Sequence, residues 1–264
     1  MGINKISTDW LFELNQRHGI FEDALVVDLG PQDFASPLVK ASFSPPFGAG
    51  DWSENLYRRA GASSYKSYDL YDSRSEKCDF NNPPQGSGNA DVVTNFGTSE
   101  HVANQMAIMR FAHELTQDDG VMLHIVPCSW GRDHGYFNYH PEFFRDLALA
   151  NEYEVLSLLI VPLVDIQERT GKLRLAVDAR VQPTVRPQLR RGYARSLVSF
   201  AVLRALVAAA CSNLSKRRSP FHSMQTGDCL FVALRKTGKA QKFTLPVQTR
   251  YERKYAAAAK NGSI

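Results

Sequence analysis

The stretch ALVVDLGP, residues 24–31, joins an apolar run rich in β-branched side chains to an acid, a glycine and a proline. This order is typical of a buried parallel strand that opens into a loop. Similar short runs occur at residues 64–69 (SYKSYD) and 90–96 (ADVVTNF), and a briefer one occurs at 77–80. The pattern predicts strands over residues 24–29, 64–69, 77–80 and 90–96.

Segments with helical spacing of apolar residues lie between these strands and beyond them. The sequence predicts helices over residues 52–60, 100–115 and 141–150, and further strands over 121–126, 153–160 and 229–235. Strands that alternate with helices form βαβ units, whose strands lie parallel. We therefore predict an α/β fold with a mostly parallel sheet and helices on both of its faces.

The region of residues 165–227 interrupts this alternation before the last strand. It holds a candidate strand at 173–177, a stretch rich in proline and arginine at 182–191, and an apolar run at 193–214 that predicts a helix. Such a helix must bury one face, so we predict a cap beside the substrate opening or a contact within a homo-oligomer. The predicted division is a core of residues 1–164, this insertion, and a last strand with a basic tail at 228–264, in which residues 251–260 favour a short helix.

Charge is distributed unevenly along the chain. Residues 1–164 carry 11 Lys and Arg against 22 Asp and Glu, whereas residues 165–264 carry 20 against 5. A basic surface attracts anionic partners, so we expect a small-molecule or anionic acceptor. The alternative is that the basic segment folds back over the acidic core. No motif for nucleic-acid binding is recognisable, and we predict no nucleic-acid partner.

The sequence has features expected of a cytoplasmic protein. No charged-then-apolar leader is visible, and the longest apolar run, residues 197–211, is too short to span a bilayer. The four cysteines form no Cys-x-x-Cys pair, which indicates neither a zinc site nor a disulfide framework. We therefore expect a cytoplasmic protein with no transmembrane segment and no bound metal.

Candidate ligand-binding residues follow the strands. In an open parallel sheet, ligands bind beyond the carboxyl ends of the strands, near the point where strand order reverses. A carboxylate after the second strand can accept hydrogen bonds from both hydroxyls of a ribose. The alternative for each acid is that it caps backbone amides of its own loop. The residues at these ends are Asp28 and Gly30, Asp69, Asp79 and Phe80, and Asn95 and Gly97.

Several stretches share a pattern with a known family. They are VVDLGPQD (26–33), SYDLYD (67–72), DFNNP (79–83), DVVTNFGTSEHV (91–102), DGVMLHIVP (119–127) and HGYFNYHPEFF (134–144). Together they resemble class I S-adenosylmethionine-dependent methyltransferases over roughly residues 22–160. The resemblance implies a Rossmann-like fold, and residues 229–236 are similar to that family's final antiparallel strand. The chain has Gly30-Pro31-Gln32-Asp33-Phe34 where the family usually has Gly-x-Gly-x-Gly.

The resemblance implies S-adenosylmethionine as the cofactor and suggests which residues bind it. The loop at Gly30 would approach the methionine part, and Asp69 would bind the ribose hydroxyls. The implied adenine contacts are Asp79 and Phe80, the fourth strand contributes Asn95, and Asp28, Gln32 and Gly97 complete the predicted pocket.

The leading functional hypothesis is transfer of a methyl group to an oxygen, nitrogen or carbon atom of a small molecule. We predict His101, or else His134, as the base, because both follow strand ends and histidine moves protons near neutral pH. The predicted substrate contacts are Tyr139, Asn138 and Arg190. An alternative is a non-catalytic relative that keeps the fold as a binding or assembly module. The chain lacks Gly-x-Gly-x-x-Gly, which argues against a third hypothesis, an NAD-dependent dehydrogenase.

Overall fold

The computed structural model describes residues 2–129, 134–168, 171–176, 221–239 and 242–249. The helices in these ranges are α1 (Lys5–His18), α2 (Pro37–Ala41), α3 (Ser53–Ala60), α4 (Gln105–Leu115) and α5 (Pro141–Ala150). The strands are β1 (Leu25–Leu29), β2 (Ser64–Asp69), β3 (Glu76–Lys77), β4 (Ala90–Phe96), β5 (Thr116–Pro127), β6 (Glu154–Glu168), β7 (Gly171–Ala176) and β8 (Phe221–Arg235). A 3-10 turn, Ser99–His101, follows β4.

All eight strands form one sheet in the order β3-β2-β1-β4-β5-β8-β6-β7. The first five strands pair in parallel. Strand β8 is antiparallel to both of its neighbours, β5 and β6, and β7 is antiparallel to β6. The order reverses between β1 and β4, where open α/β sheets bind their ligands. The predicted fold class, a mostly parallel Rossmann-like sheet with a final antiparallel strand, is confirmed.

Helices cover both faces of the sheet, and the residues of β1 show why. Neighbouring side chains of a strand point to opposite faces. Val26 packs in a cluster that includes Trp10 of α1, whereas Val27 packs in a second cluster that includes Ile108 of α4. Both valines are almost fully buried. A strand buried on both faces reads as a continuous apolar run, which is the pattern of residues 24–29.

Helix α1 is a part of the fold that the sequence analysis did not predict. Asn4 caps its first turn, accepting a hydrogen bond from the Ser7 N–H at 3.0 Å, and Gly19 ends it in a left-handed conformation. Trp10 is buried against Phe231 of β8, with ring centroids 5.3 Å apart. The helix therefore covers the antiparallel half of the sheet.

The ends of several elements differ from the prediction. Strand β6 continues to Glu168 and pairs with β7, so the predicted insertion begins inside a sheet hairpin. Strand β8 begins at Phe221, earlier than the predicted residue 229. The predicted helix at 100–115 begins only at Gln105, because Asn104 caps it and residues 99–101 form the separate 3-10 turn. The short helix α2 lies in a stretch without a predicted element.

Two predicted helices, at residues 193–214 and 251–260, lie outside the described residues, as does Arg190. The division into a core, an insertion and a last strand with a tail therefore stays a prediction. Within the described ranges, no helix is both long and apolar enough to cross a membrane.

Candidate active site

A cavity of about 340 Å³ lies beyond the carboxyl ends of β2, β3 and β4. Its volume is in the usual range for small-molecule sites, about 300–1,000 Å³. Two exposed tyrosines, Tyr71 and Tyr136, stand at its rim. The lining residues are Asp69, Leu70, Tyr71, Asp79, Phe80, Asn81, Thr98, His101, Val102, Ala103 and Tyr136.

Two carboxylates, Asp69 and Asp79, line the same part of this cavity. Oδ1 of Asp69 accepts hydrogen bonds from the N–H groups of Tyr71 and Asp72, at 2.7 and 2.9 Å. Oδ1 of Asp79 accepts one from the N–H of Asn81 at 2.9 Å, and bonds from Asn81 hold the pKa of Asp79 below its usual value. Both alternatives raised by the sequence therefore apply to each acid, since it caps its own loop and also faces the cavity.

The two acids come together because the connection between their strands is short. Strand β3 pairs only with the end of β2, Tyr68 with Glu76 and Asp69 with Lys77. Parallel strands normally need a long crossover because the chain must return to the start of the neighbouring strand. Here residues 70–75 return only far enough to pair two residues.

The loop after β1 lies against the loop after β4. Gly30 has a φ of +82°, and a Cβ at this position would lie 3.0 Å from Cγ2 of Thr98 and closer still to its Oγ1. Only glycine combines this φ with such a close approach. The Gln32 side chain folds back, with Nε2 donating to the Gly30 carbonyl at 2.8 Å. Of these three residues only Thr98 lines the cavity.

Arg74 ties the loop after β1 to the loop after β2. Its guanidinium donates to Asp33 at 2.9 Å and to Asp72 at 2.6 Å, and it lies 4.4 Å from the centre of the Trp52 ring. Hydrogen bonds to these carboxylates, that to Asp72 foremost, raise the pKa of Arg74. The guanidinium thus joins the two loops on one side of the cavity.

Asp28 is fully buried beneath the site. Its carboxyl group accepts hydrogen bonds from Oγ of Ser53 at 2.9 Å, the hydroxyl of Tyr65 at 3.1 Å and Oγ1 of Thr94 at 2.7 Å. Burial raises the pKa of Asp28 to about 7, against the lowering effect of these hydrogen bonds. Asp28 therefore joins β1, β2, β4 and α3 and does not line the cavity.

Asn95 is also buried and organises the turn that follows β4. Its Oδ1 accepts from the Ser99 N–H at 3.0 Å, and its Nδ2 donates to Oγ of Ser99 at 2.9 Å. Nδ2 also lies 3.1 Å from Nδ1 of His124, whose pKa is lowered by burial to about 3. Gly97, the first residue after β4, has a φ of +75°. Asn95 thereby fixes the 3-10 turn that carries Glu100 and His101.

Glu100, His101 and His134 form a cluster, and its member His101 lines the cavity. Oε1 of the buried Glu100 lies 3.2 Å from Nε2 of His134, and the two histidine rings meet edge to face with centroids 4.9 Å apart. Burial lowers the pKa of His101; the Glu100 charge opposes this shift and His134 adds to it. His101 lies in the 3-10 turn, four residues before α4 begins.

The segment of residues 134–140 packs over this turn. Tyr139 is buried, and its hydroxyl is hydrogen-bonded to Oγ of Ser99 at 2.8 Å and to the side chain of Gln105. Burial raises the pKa of Tyr139. Asn138 is exposed beside it. Tyr139 thus ties the segment that bears His134 to the turn that bears His101.

Four of the twelve predicted site residues in the described ranges line the cavity. Asp69, Asp79, Phe80 and His101 line the cavity, whereas His134 approaches it through Glu100. The predicted site residues among the described ranges that do not line the cavity are Asp28, Gly30, Gln32, Asn95, Gly97, Asn138 and Tyr139. The role of every one of these residues stays a prediction.

Sequence reasoning missed Glu100, Thr98 and the rim tyrosines Tyr71 and Tyr136. Glu100 gave a weak signal, since it directly precedes a predicted catalytic histidine. Its burial could not be deduced, because acids at the start of a predicted helix are ordinarily exposed.

Comparison with known families identifies the region that contains this cavity. Residues 47–159 match the model of a methyltransferase domain. The chain carries a methyltransferase domain. The match confirms the predicted family and enzyme class, and S-adenosylmethionine is the methyl donor of that class. The methyltransferase domain includes all of the residues that line the cavity.

Some solved structures resemble this chain at low sequence identity. One is a protein of Bacillus halodurans C-125 assigned as a methyltransferase, with a TM-score of 0.47 and 13% identity over 86% of this chain and 98% of that chain. Another is 1,6-didemethyltoxoflavin-N1-methyltransferase of Burkholderia thailandensis, solved with 1,6-didemethyltoxoflavin and S-adenosylhomocysteine; its TM-score is 0.44, with 13% identity over 88% of this chain and 77% of that chain. No curated protein matches the sequence.

Proposed function

We propose that this methyltransferase transfers the methyl group of S-adenosylmethionine to an oxygen, nitrogen or carbon atom of a small-molecule acceptor. One observation carries the proposal: a single cavity is lined by two carboxylates, Asp69 and Asp79, and by an imidazole, His101. The acids fit the adenosine part of the donor, and the imidazole fits an acceptor that must lose a proton.

The part of the cavity lined by Asp69 and Asp79, here called the acid end, has the chemistry that adenosine requires. Asp69 uses Oδ1 for its own loop, which leaves Oδ2 to accept hydrogen bonds from ribose hydroxyls. Phe80 and Tyr71 offer aromatic faces for a planar base, with Asp79 beside them. The predicted binding role of Asp28, Gly30, Gln32, Asn95 and Gly97 is then indirect, because they hold the strand ends and loops that carry the lining residues.

The chemistry asks little of the protein beyond positioning. A sulfonium makes methyl a good electrophile, so most of the acceleration comes from aligning the acceptor atom with the methyl carbon. The C–S bond breaks as the bond to the acceptor forms, and a hydroxyl or amine acceptor gives up a proton. The proton leaves at His101 or His134, the imidazoles at the acceptor end.

Of the predicted acceptor contacts, Tyr139 and Asn138 lie outside the cavity lining and would position the acceptor indirectly, and Arg190 stays a predicted contact. Asn138 is exposed next to the cluster, and Tyr139 fixes the segment between Asn138 and the turn after β4. The insertion of residues 165–227 caps the opening or joins two subunits, and its arginines favour an anionic acceptor.

Calorimetric titration with S-adenosylhomocysteine tests the donor site. The unmodified protein should bind it with one-to-one stoichiometry. Asp69→Asn keeps the oxygen that caps the loop and removes the charge, so its affinity should fall at least about tenfold while its melting temperature is kept. Asp9→Asn, on the exposed side of α1, is the matched control. Absence of binding by the unmodified protein, or equal affinity in Asp69→Asn, would contradict the proposal.

A further inference from the structure

Glu100 is a buried acid whose charge the described residues do not balance. Its side chain has no exposed surface, and Oε2 has no hydrogen-bond partner in the described ranges. Its one ion-pair contact in these ranges is with His134, which is a counter-charge only when protonated. A buried carboxylate without a counter-charge costs several kcal/mol. A cation bound to the free Oε2 would supply the missing partner.

Two further donor atoms stand beside this carboxylate. One ring nitrogen of His101, one of His134 and one Glu100 oxygen all lie within 4.8 Å of one another. A metal ion with bonds of about 2.0–2.2 Å to imidazole and carboxylate ligands holds neighbouring ligand atoms about 3–3.4 Å apart. The pair formed by Glu100 and His134 already meets this spacing at 3.2 Å. The His101 ring nitrogen lies within 4.8 Å of both and would move closer to bind the same ion.

The backbone holds these ligands in place without help from a metal. The Glu100 carbonyl accepts hydrogen bonds from the N–H groups of Tyr136 at 2.7 Å and Phe137 at 3.3 Å. Gly135 has a φ of +67°, and a Cβ there would lie 2.8 Å from Cγ of Glu100. Glycine thus lets the chain after His134 pass directly over Glu100. A site built in this way needs little rearrangement to bind an ion.

We propose that Glu100, His101 and His134 bind one divalent transition-metal ion, such as Zn²⁺ or Mn²⁺, at the acceptor end of the cavity. One carboxylate and two imidazoles form a ligand set that suits these ions. Mg²⁺ and Ca²⁺ prefer sites made of oxygen ligands, so they should bind more weakly. Three protein ligands leave coordination positions open, and His101 and Tyr136 place this opening on the cavity wall.

This inference rests on the proposed methyl transfer and deepens it. An acceptor hydroxyl bound to the ion has a lowered pKa and gives its proton to solvent, so that the remaining oxygen attacks the methyl carbon. The oxygen gains the C–O bond, and the sulfonium leaves as a thioether. The two histidines then promote proton loss as ligands of the ion, and His101 is itself the base only when the ion is absent.

Metal binding by the full-length protein tests the site directly. The protein is stripped with a chelator and titrated with Zn²⁺, Mn²⁺ and Mg²⁺ by calorimetry, and Co²⁺ serves as a spectroscopic probe of nitrogen and oxygen ligation. We expect one Zn²⁺ or Mn²⁺ per chain and at least about tenfold weaker binding in His101→Ala and in Glu100→Gln. The melting temperature should rise with metal in the unmodified protein and much less in these two variants. His18→Ala, at the exposed end of α1, is the matched control and should bind like the unmodified protein.

Three results would overturn the inference: no stoichiometric binding of Zn²⁺ or Mn²⁺, equal binding in both ligand variants, or binding of Mg²⁺ as tight as that of the transition metals. His101→Ala keeps the test decisive if Glu100→Gln fails to fold, because His101 is exposed. Titration of the same samples with S-adenosylhomocysteine separates the two proposals. A protein that binds the metal but not S-adenosylhomocysteine contradicts the proposed function alone, and the reverse result contradicts only the metal site.

Discussion

Gly30 and Thr98 are in contact across the point where the strand order of the sheet reverses, and no side chain fits on Gly30. The loop after β1 therefore supports the residue that faces the cavity from the loop after β4. Class I methyltransferases are expected to bring their glycine-rich loop to the donor. In this chain Gly30 and Gln32 pack against protein, and Thr98 is the lining residue.

Gly30→Ala should weaken donor binding as well as the fold. The new methyl group collides with Thr98, and the alanine residue must keep a φ of +82°. We therefore expect a loss of at least about 1 kcal/mol in the free energy of unfolding. Affinity for S-adenosylhomocysteine should fall severalfold, since Thr98 is displaced. Gly50→Ala is the control, because a Cβ on Gly50 meets no atom within 4 Å. Identical melting temperatures in the two variants would show that the contact is not tight.

Trp10→Ala should cost about 3–5 kcal/mol of stability, because the indole is buried against Phe231. It also loses the hydrogen bond from Nε1 to Oγ of Ser157, at 3.1 Å. Phe12→Ala, on the exposed side of the same helix, should change the free energy of unfolding by less than about 1 kcal/mol. Chemical denaturation of both variants provides the measurement. Equal losses would mean that α1 is not docked on the sheet.

The buried Asp28 should make stability depend on pH. Its pKa in the fold is about 7, above the value of about 4 in an unfolded chain, so the folded state holds a proton that the unfolded state has lost. The stability that protonated Asp28 contributes is fully present below about pH 4. It is lost as the pH rises from there through 7, and the free energy of unfolding does not change further above that. The free energy of unfolding, relative to Asp28→Asn, should fall by a few kcal/mol between pH 4 and 7. A difference that stays flat over this interval would show that Asp28 is ionised in the fold.

Tyr139→Phe should lower turnover and spare donor affinity. The lost hydroxyl connects the segment after His134 to Ser99, so the acceptor end loosens while the acid end is untouched. Tyr153→Phe is matched to it, because the Tyr153 hydroxyl is also buried and bonds to Nδ1 of His113 at 2.6 Å, away from the cavity. Steady-state rates and calorimetry on both variants separate the effects. A comparable loss of turnover in both would indicate a general loss of stability.

The parallel strands and α5 were predictable because their signals are local. Strand β2 and helix α5 begin and end where the sequence predicts, since an acid, Asp69, ends the strand and a proline, Pro141, begins the helix. Helix α1 also left a signal, with Asn4 as cap and Ile6, Trp10 and Leu14 at helical spacing. Helix α1 could therefore have been predicted from the sequence alone.

The candidate site was predictable at its acid end and not at its acceptor end. Asp69 and Asp79 reach the cavity because they end strands, and strand ends can be read from sequence. The cluster around Glu100 depends on a loop of residues 134–137 that folds back over a turn from another part of the chain. Such long-range loop contacts have no periodic pattern, and the lowered pKa of His101 depends on the burial that they produce.

The short link between β2 and β3 makes the acid end of the cavity a contiguous unit. Residues 69–81 supply Asp69, Asp79 and the aromatic wall from one unbroken piece of chain, and the acceptor end comes from the later segments around Glu100 and His134. Each residue added between β2 and β3 would change the span from one carboxylate to the other and leave the acceptor end as it is. Donor recognition could therefore be re-engineered by loop length alone, independently of the choice of acceptor.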